Sequence, residues 1–281
     1  MARHILKLVC PDRPGIVHSI AAGLLEVDAN ILTNAQFSDP ESKRFCIRTL
    51  FETSWEDAGA IADVLRERAD ALDADFSVRN EEYRPRMLVM VSQYDHCLLD
   101  LIYRWGTGEL AVDIPIVVSN HPDLALTVTR FGLRFEHVPV SQDARSRAEA
   151  RLLQLVDELD VDLIVLARYM QILSDGLCAR LQGRIINIHH SFLPGFKGAR
   201  PYHQAYERGV KLIGATAHYV TADLDEGPII DQDTEPVTHA HTPEQMVEIG
   251  RDVERLVLSR AVKAHAEDRV FLLGRRTVVF P

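Results

Sequence analysis

An apolar run ending in Asn187-Ile188-His189-His190, within RIINIHHSFLPGFKG (residues 184–198), places an amide and two imidazoles at one point of the chain. If the run is a strand, alternation puts Asn187 and His189 on one face, aimed at a common atom, and turns His190 the other way. An Asn amide and an imidazole are suitable donors to the oxyanion that forms when a carbonyl carbon is attacked. Further along, GATAHYV leads into TADLDEGPII, where Asp225 stands in an acidic turn closed by Gly227 and Pro228. A carboxylate beside an imidazole raises the histidine pKa, orients the ring and exchanges protons with water. Asn187, His189 and Asp225 therefore read as a catalytic set acting on a carbonyl: an amide donor, an acid/base imidazole and a carboxylate. Against this stand plainer readings, in which Asn187 caps a strand end, His190 is structural, and Asp223 and Glu226 are solvated turn residues.

The paired histidines also raise the question of a metal. Neither His189–His190 nor His239/His241 has a Cys or carboxylate at zinc-ligand spacing, and adjacent strand residues face opposite ways. The second pair falls in the loop THAHTPE, where hydrogen bonding or solvation suffices, so no metal site is expected.

A set of this kind needs a sheet edge to carry it. Residues 87–92 form a dense apolar run suited to a strand buried on both faces. Further buried-strand candidates are 114–119, 163–167, 184–188, 215–220 and 228–233, with helical stretches such as 144–159 between several of them. This alternation predicts a doubly wound, mostly parallel sheet. Ligands in such sheets bind outside the carboxyl ends of the strands, which is where Asn187 and His189 fall. A long closing helix over 243–265 is expected, with Thr242 as its N-cap and Glu244 and Glu248 in its first turns.

The first eighty residues have a different rhythm. Residues 4–10 alternate as a half-buried strand, Pro11 to Gly15 break it, and 15–27 repeat apolar residues at helical spacing. Residues 30–38 and 44–53 read as strands joined by a turn, 55–70 as a helix, and 75–79 as a closing strand. The order is βαββαβ, a ferredoxin-like plait over 1–80. The polar stretch NEEYRPR (80–86) supplies a linker over 81–86, and the second domain runs over 87–281.

The 281 residues suit two modest domains, and 47% hydrophobic with 26% charged is ordinary globular composition. A net charge of −10, with Arg and Lys interleaved among acids, excludes the basic face that a nucleic-acid partner needs. No run approaches the roughly 18 apolar residues of a membrane helix. The opening MARHILKLVCPDRPG has too short an apolar stretch for a secretory signal. Cys10, Cys46, Cys97 and Cys178 lie far apart with no CxxC pair, and are expected as reduced, buried thiols of a cytoplasmic protein.

The stretch CPDRPGIVHSIAAGLLEVDANI, with its βαββαβ setting, resembles an ACT domain. That resemblance implies pairing and a small effector, such as an amino acid, held at Asp12, Arg13, Gly15 and Ile16. The helix start there offers unpaired N–H groups to a carboxylate, and Gly15 permits the tight turn. The plainer reading is a strand-to-helix turn in a domain that only dimerises.

The block NIHHSFLPGFKGARPYHQAYERGVKLIGATAHYVTADLDEGPII resembles the core of the folate-dependent formyltransferases. Their pattern is Asn-Ile-His, Ser-Leu-Leu-Pro, a His-x-x-x-Ala-like helix, a strand ending in His, and Leu-Asp-x-Gly-Pro. Residue by residue, the catalytic Asn, His and Asp of that family fall on Asn187, His189 and Asp225. LARYMQILS (166–174) resembles the strand and loop that help wall the folate pocket. Folate contacts are thereby implied at Met170, Gln171, Ile172 and Leu173, and also at Thr221, Ala222, Leu224 and His190.

Two departures divide the family. Ribonucleotide formyltransferases carry a Gly/Ser-rich loop after their first strand, which cradles a phosphate through backbone N–H groups. Here that place reads SQYDHCLLD (92–100), with no glycine and with Asp95 to repel a phosphate. The tRNA-directed members need basic surfaces and carry their extra domain behind the catalytic one, whereas this chain is acidic and carries its own in front. An ACT-like domain ahead of VSQYDHCLLDL and NIHHSFLPG resembles the formyltetrahydrofolate deformylases. That resemblance implies hydrolysis of 10-formyltetrahydrofolate to formate and tetrahydrofolate, which would supply formate for purine synthesis and balance the folate pool. It implies no prosthetic group, an even-numbered homo-oligomer (dimer or tetramer), and His190 as a residue placed to position water. The alternatives are formyl transfer to a small amine without a phosphate, and a non-catalytic amino-acid sensor.

Overall fold

The computed structural model describes residues 1–141, 144–195 and 201–281. The chain divides into two compact units, Met1–Tyr83 with Glu267–Pro281, and Arg84–Ala266.

The first unit opens with the expected βαββαβ order: β1 (Ala2–Pro11), α1 (Ile16–Glu26), β2 (Asn30–Asp39), β3 (Arg44–Thr53), α2 (Ala58–Ala71) and β4 (Asp75–Asn80). The strands form one antiparallel sheet in the order β2-β3-β1-β4. Alternation in β1 sends Leu6, Leu8 and Cys10 to the helix side, where they pack with Ile16, Ile20 and Leu24 of α1 and Ile61 and Leu65 of α2. Gly15, at φ 94°, turns the chain from β1 into α1, a left-handed conformation that glycine adopts without strain. The Asp57 carboxylate caps α2 by accepting from Gly59 N at 2.8 Å.

The second unit runs β5 (Arg86–Val91), α3 (His96–Gly106), β6 (Asp113–Ser119), α4 (Ala125–Arg130), β7 (Phe135–His137), α5 (Arg145–Glu158), β8 (Leu163–Leu166), α6 (Asp175–Arg180), β9 (Ile185–His189), α7 (Pro201–Glu207), β10 (Leu212–Tyr219), β11 (Ile229–Pro236) and α8 (Pro243–Ala266). Its seven-stranded sheet has the order β11-β10-β9-β8-β5-β6-β7. The ladders from β9 through β7 are parallel, while β10 pairs antiparallel with both β9 and β11. The short β7 was not foreseen; its FEH carries no apolar run to betray it. At the start of α8, Thr242 and Gln245 form a reciprocal capping box: Gln245 N donates to Thr242 Oγ1 at 3.3 Å, and Thr242 N to Gln245 Oε1 at 2.9 Å. Among the described residues no helix is long and apolar enough to cross a membrane.

The last residues correct the expected boundary. β12 (Val270–Leu273) and β13 (Arg276–Val279) form a hairpin that belongs to the first unit, not to the second domain. Phe271, Leu273 and Phe280 pack on Cys46, with Val9 and Ala35 alongside, so the hairpin covers part of the sheet face opposite the helices. Arg276 pairs with the buried Asp39 at 2.8 Å, and Asp268 pairs with Arg79.

Candidate active site

Residues at the carboxyl ends of β8 and β9, together with His218 of β10 and the segment that follows β10, line a cavity of about 420 Å³. β9 is short and apolar, and its last turn of alternation delivers Asn187 and His189 to this cavity. In the ladder with antiparallel β10, Asn187 stands opposite His218 and His189 opposite Thr216. The turn after β10 brings in Asp225, whose Oδ1 lies 3.2 Å from His189 Nδ1. Asn187, His189 and Asp225 are thus brought together as expected.

Asp225 holds a left-handed backbone, φ 57°, a conformation that Asp tolerates better than most residues because of its short polar side chain. The turn is pressed against β10: Tyr219 N donates to Pro228 O at 2.9 Å, and a Cβ on Gly227 would stand 1.7 Å from Tyr219 O. Only glycine permits this approach, and the approach keeps Asp225 close to the two imidazoles. Burial pushes the Asp225 carboxyl up, but the hydrogen bond from His189 and the neighbouring imidazoles outweigh it and hold the group below the ordinary carboxylate range.

His218 had no role assigned from sequence, although the pattern of a strand ending in His pointed at it. Its Nδ1 lies 2.9 Å from the Tyr219 carbonyl oxygen, which only accepts, so Nδ1 carries the proton. Burial lowers its pKa and keeps the ring neutral. Nε2 is then an acceptor, and the Asn187 amide nitrogen donates to it at 3.2 Å. His218 thereby fixes which end of the Asn187 amide faces which way. Asp225 Oδ1 is a further 3.8 Å from His218 Nε2.

His190 does not turn away as alternation predicted. The strand ends at His189, so the next residue is free of the pleat, and His190 borders the same cavity with its ring centroid 5.2 Å from that of His189. Burial, with the Arg168 charge nearby, pushes the His190 pKa down to about 3. The loop beyond it is pinned by Thr216, which donates to Ser191 O at 2.9 Å and accepts from Leu193 N at 3.0 Å. Residues 196–200 of the matching block lie outside the described residues.

The residues expected to wall the folate pocket all border the cavity: Met170, Gln171, Ile172 and Leu173 on one side, Thr221, Ala222 and Leu224 on the other. Ser92 ties the first of these loops to β5, accepting from Met170 N at 2.9 Å and donating to Asn120 Oδ1 at 2.6 Å.

A second polar cluster borders the first. Glu254 of α8 is only 1% exposed, and it receives His96 Nε2 at 2.8 Å, Tyr202 OH at 2.8 Å and the Arg168 guanidinium at 3.4 Å. Burial raises its carboxyl, but the His96 hydrogen bond and the Arg168 charge prevail and lower it. The sequence signal was an acid at 254 on the buried stripe that Met246, Gly250, Val253, Val257 and Leu258 define. His96, Cys97 and Glu254 bring ligand atoms within 4.8 Å of one another. Burial drives the Cys97 thiol well up, and Arg168 supplies the cation that pairs with Glu254. In the loop before α8, His241 accepts from Thr238 N at 2.9 Å, the hydrogen bonding expected there.

In the first unit, Asp12 accepts from Ser38 Oγ and Arg13 donates to Ala71 O, while the Ile16 side chain, 2% exposed, belongs to the core. Of the four residues expected around an effector, Asp12, Arg13 and Gly15 are at the surface.

Comparison with known proteins matches both units. The Formyl transferase family profile covers residues 85–262 and the ACT domain profile covers residues 4–79. A formyltetrahydrofolate deformylase of Corynebacterium sp. (strain P-1) is 48% identical over 281 residues, covering 99% of this chain and 98% of that protein. The crystal structure of a formyltetrahydrofolate deformylase from Burkholderia mallei superposes with a TM-score of 0.96 at 47% identity, covering 100% of both chains. A glycinamide ribonucleotide transformylase from Symbiobacterium toebii matches at 30% identity and a TM-score of 0.67, over 72% of this chain and 97% of that one.

Proposed function

This chain belongs to the formyltetrahydrofolate deformylases, and on that footing we propose how its residues hydrolyse 10-formyltetrahydrofolate to formate and tetrahydrofolate. The reaction needs no prosthetic group. Transfer to an amine and amino-acid sensing without catalysis both give way to relatives that match as deformylases over the whole length.

Water attacks the formyl carbon. The Asn187 amide, held by His218, and the His189 imidazole steady the developing oxyanion, and Asp225 takes the proton that the water loses. The folate nitrogen leaves with a proton delivered through His189 or a bound water, and formate and tetrahydrofolate are released. Neutral His190, at the cavity wall, accepts a hydrogen bond from the attacking water. The observation that carries this reading is the 3.2 Å approach of Asp225 to His189 in a cavity also lined by Asn187. Loops 170–173 and 221–224 hold the folate. The test is formate release from 10-formyltetrahydrofolate in plain buffer; no formate above the uncatalysed rate would overturn the reading.

We further propose that the enzyme is cytoplasmic, in keeping with four free, buried cysteines, and that its formate supplies purine synthesis while the folate pool is kept in balance. The ACT-like unit binds a small carboxylate, such as an amino acid, near Asp12, Arg13 and Gly15. It also pairs with a second copy: β2 is an edge strand ten residues long, nearly all exposed, with Ile31, Leu32 and Phe37 at its surface. Light scattering tests the pairing, and calorimetric titration with amino acids tests the effector.

A further inference from the structure

In the sheet of the second unit, β5 has β6 on one side and β8 on the other. The connection from β5 leads to β6 and that from β8 leads to β9, in opposite directions along the sheet, and the crevice outside the carboxyl ends of β5 and β8 is where an open α/β sheet takes a ligand. In this chain that crevice is filled from within. The second residue after β8 is Arg168, at φ 65°, whose carbonyl accepts from Ser92 N at 3.2 Å across the mouth of the crevice. Its guanidinium lies over the Tyr94 ring, 5.5 Å from the centroid, and Arg251 approaches the same ring at 5.6 Å. Nε is 3.4 Å from Glu254, itself gripped by His96 and Tyr202. Arg168 is 9% exposed, its Nη1 has no hydrogen-bond partner, and it borders the cavity that holds Asn187, His189 and Asp225.

We propose that Arg168, braced by Glu254, blocks the acceptor side of the catalytic cavity and makes water the nucleophile that reaches the formyl carbon. The pair is specificity-determining for hydrolysis over transfer. This inference rests on the deformylase reading. In hydrolysis a water oxygen bonds to the formyl carbon, the carbon–nitrogen bond to the folate breaks, and the folate nitrogen takes a proton. In transfer an amine nitrogen would take the place of that oxygen, lose a proton, and leave as an N-formyl amine. Both routes use the same oxyanion donors, so the choice lies in what can stand beside the formyl group. A second substrate needs room and unoccupied polar partners in the crevice, and here it meets a buried cation that repels protonated amines and occupies the volume. Water needs neither.

The test is the partition of the formyl group in the full-length enzyme, with methoxyamine as the probe because it is small, nucleophilic and uncharged at neutral pH. The wild type should release close to one formate per tetrahydrofolate, with only a small ratio of N-formyl methoxyamine to formate at saturating methoxyamine. Arg168→Ala should raise the ratio of N-formyl methoxyamine to formate at least tenfold, and Glu254→Gln should raise it less. Should Arg168→Ala not fold, as judged by circular dichroism and thermal melting, the double variant Arg168→Ser with Glu254→Gln removes both charges and carries the same measurement. An unchanged ratio in a folded variant overturns the proposal. So does a rise in KM for the folate with the ratio unchanged, which would make Arg168 a substrate-binding residue. A wild type that releases no formate would overturn the deformylase reading instead.

Discussion

The amide nitrogen of Asn187 lies 3.2 Å from Nε2 of His218, directly across the ladder that joins β9 to β10. His218 is a positioning residue in this arrangement, since its proton sits on Nδ1 against the Tyr219 carbonyl and its lone pair faces the amide. His218→Phe removes the acceptor and frees the amide to rotate. Turnover should fall about 10- to 100-fold with KM for the folate little changed, as small losses of alignment do. His218→Gln, whose side-chain oxygen accepts, should recover part of that loss; a Phe variant with wild-type turnover would refute the role.

The trio itself carries a larger effect. An oxyanion donor is worth about 3–4 kcal/mol, so His189→Ala should cut turnover roughly 100- to 1,000-fold. Asp225→Asn should lose at least as much through the missing base. It is the cleaner replacement at this position because Asn, like Asp, tolerates the left-handed backbone at φ 57°. Steady-state kinetics beside thermal melts check both; normal turnover in either folded variant would remove that residue from the mechanism.

Gly227→Ala should couple stability to activity. The added Cβ meets the Tyr219 carbonyl oxygen at 1.7 Å, backbone against backbone, so the turn must move away from β10. Overpacking of this kind costs about 1–3 kcal/mol or more. The same displacement should carry Asp225 from His189 and lower turnover at temperatures where the variant is still folded. Denaturant titration and kinetics at low temperature separate the two effects.

His190 predicts a pH dependence of stability. Its folded pKa is pushed down to about 3, below the ordinary value of 6.5. A histidine held neutral in the fold binds its proton more readily when unfolded. Its contribution is therefore complete above about pH 6.5 and is lost progressively as pH falls toward about 3. The loss should amount to a few kcal/mol. His190→Phe should flatten the urea-midpoint profile over this window, and an unchanged slope would refute the assignment.

Much of the architecture was legible because burial writes itself into the residues. The run before Asn187 is apolar enough to read as a strand, and its end placed Asn187 and His189 at the carboxyl edge of a sheet before any contact was known. The plait of the first unit followed from alternation in β1 and helical spacing in α1. What escaped was set by partners distant in the chain. His190 was given the wrong face because periodicity cannot say where a strand stops. Arg168 and Glu254 meet across the interval from β8 to α8, and a single acid on an apolar stripe does not name its counter-ion. The hairpin of β12 and β13 looked like a tail of the second domain because its apolar residues do not tell which sheet face awaits them.

That hairpin gives the first unit a history as well as a shape. The sheet face around Cys46, Val9 and Ala35 is completed by Phe271 and Phe280, which emerge from the ribosome only after the second unit. At about 5–20 residues per second, the plait waits roughly 10–40 s between the synthesis of Tyr83 and that of Pro281 with this face uncovered. During that interval the whole of Arg84–Ala266 is made and free to fold as an insertion between the two halves of its neighbour. A chain truncated after Ala266 would keep the proposed catalytic residues and lose the cover, so such a truncation should yield active but aggregation-prone protein.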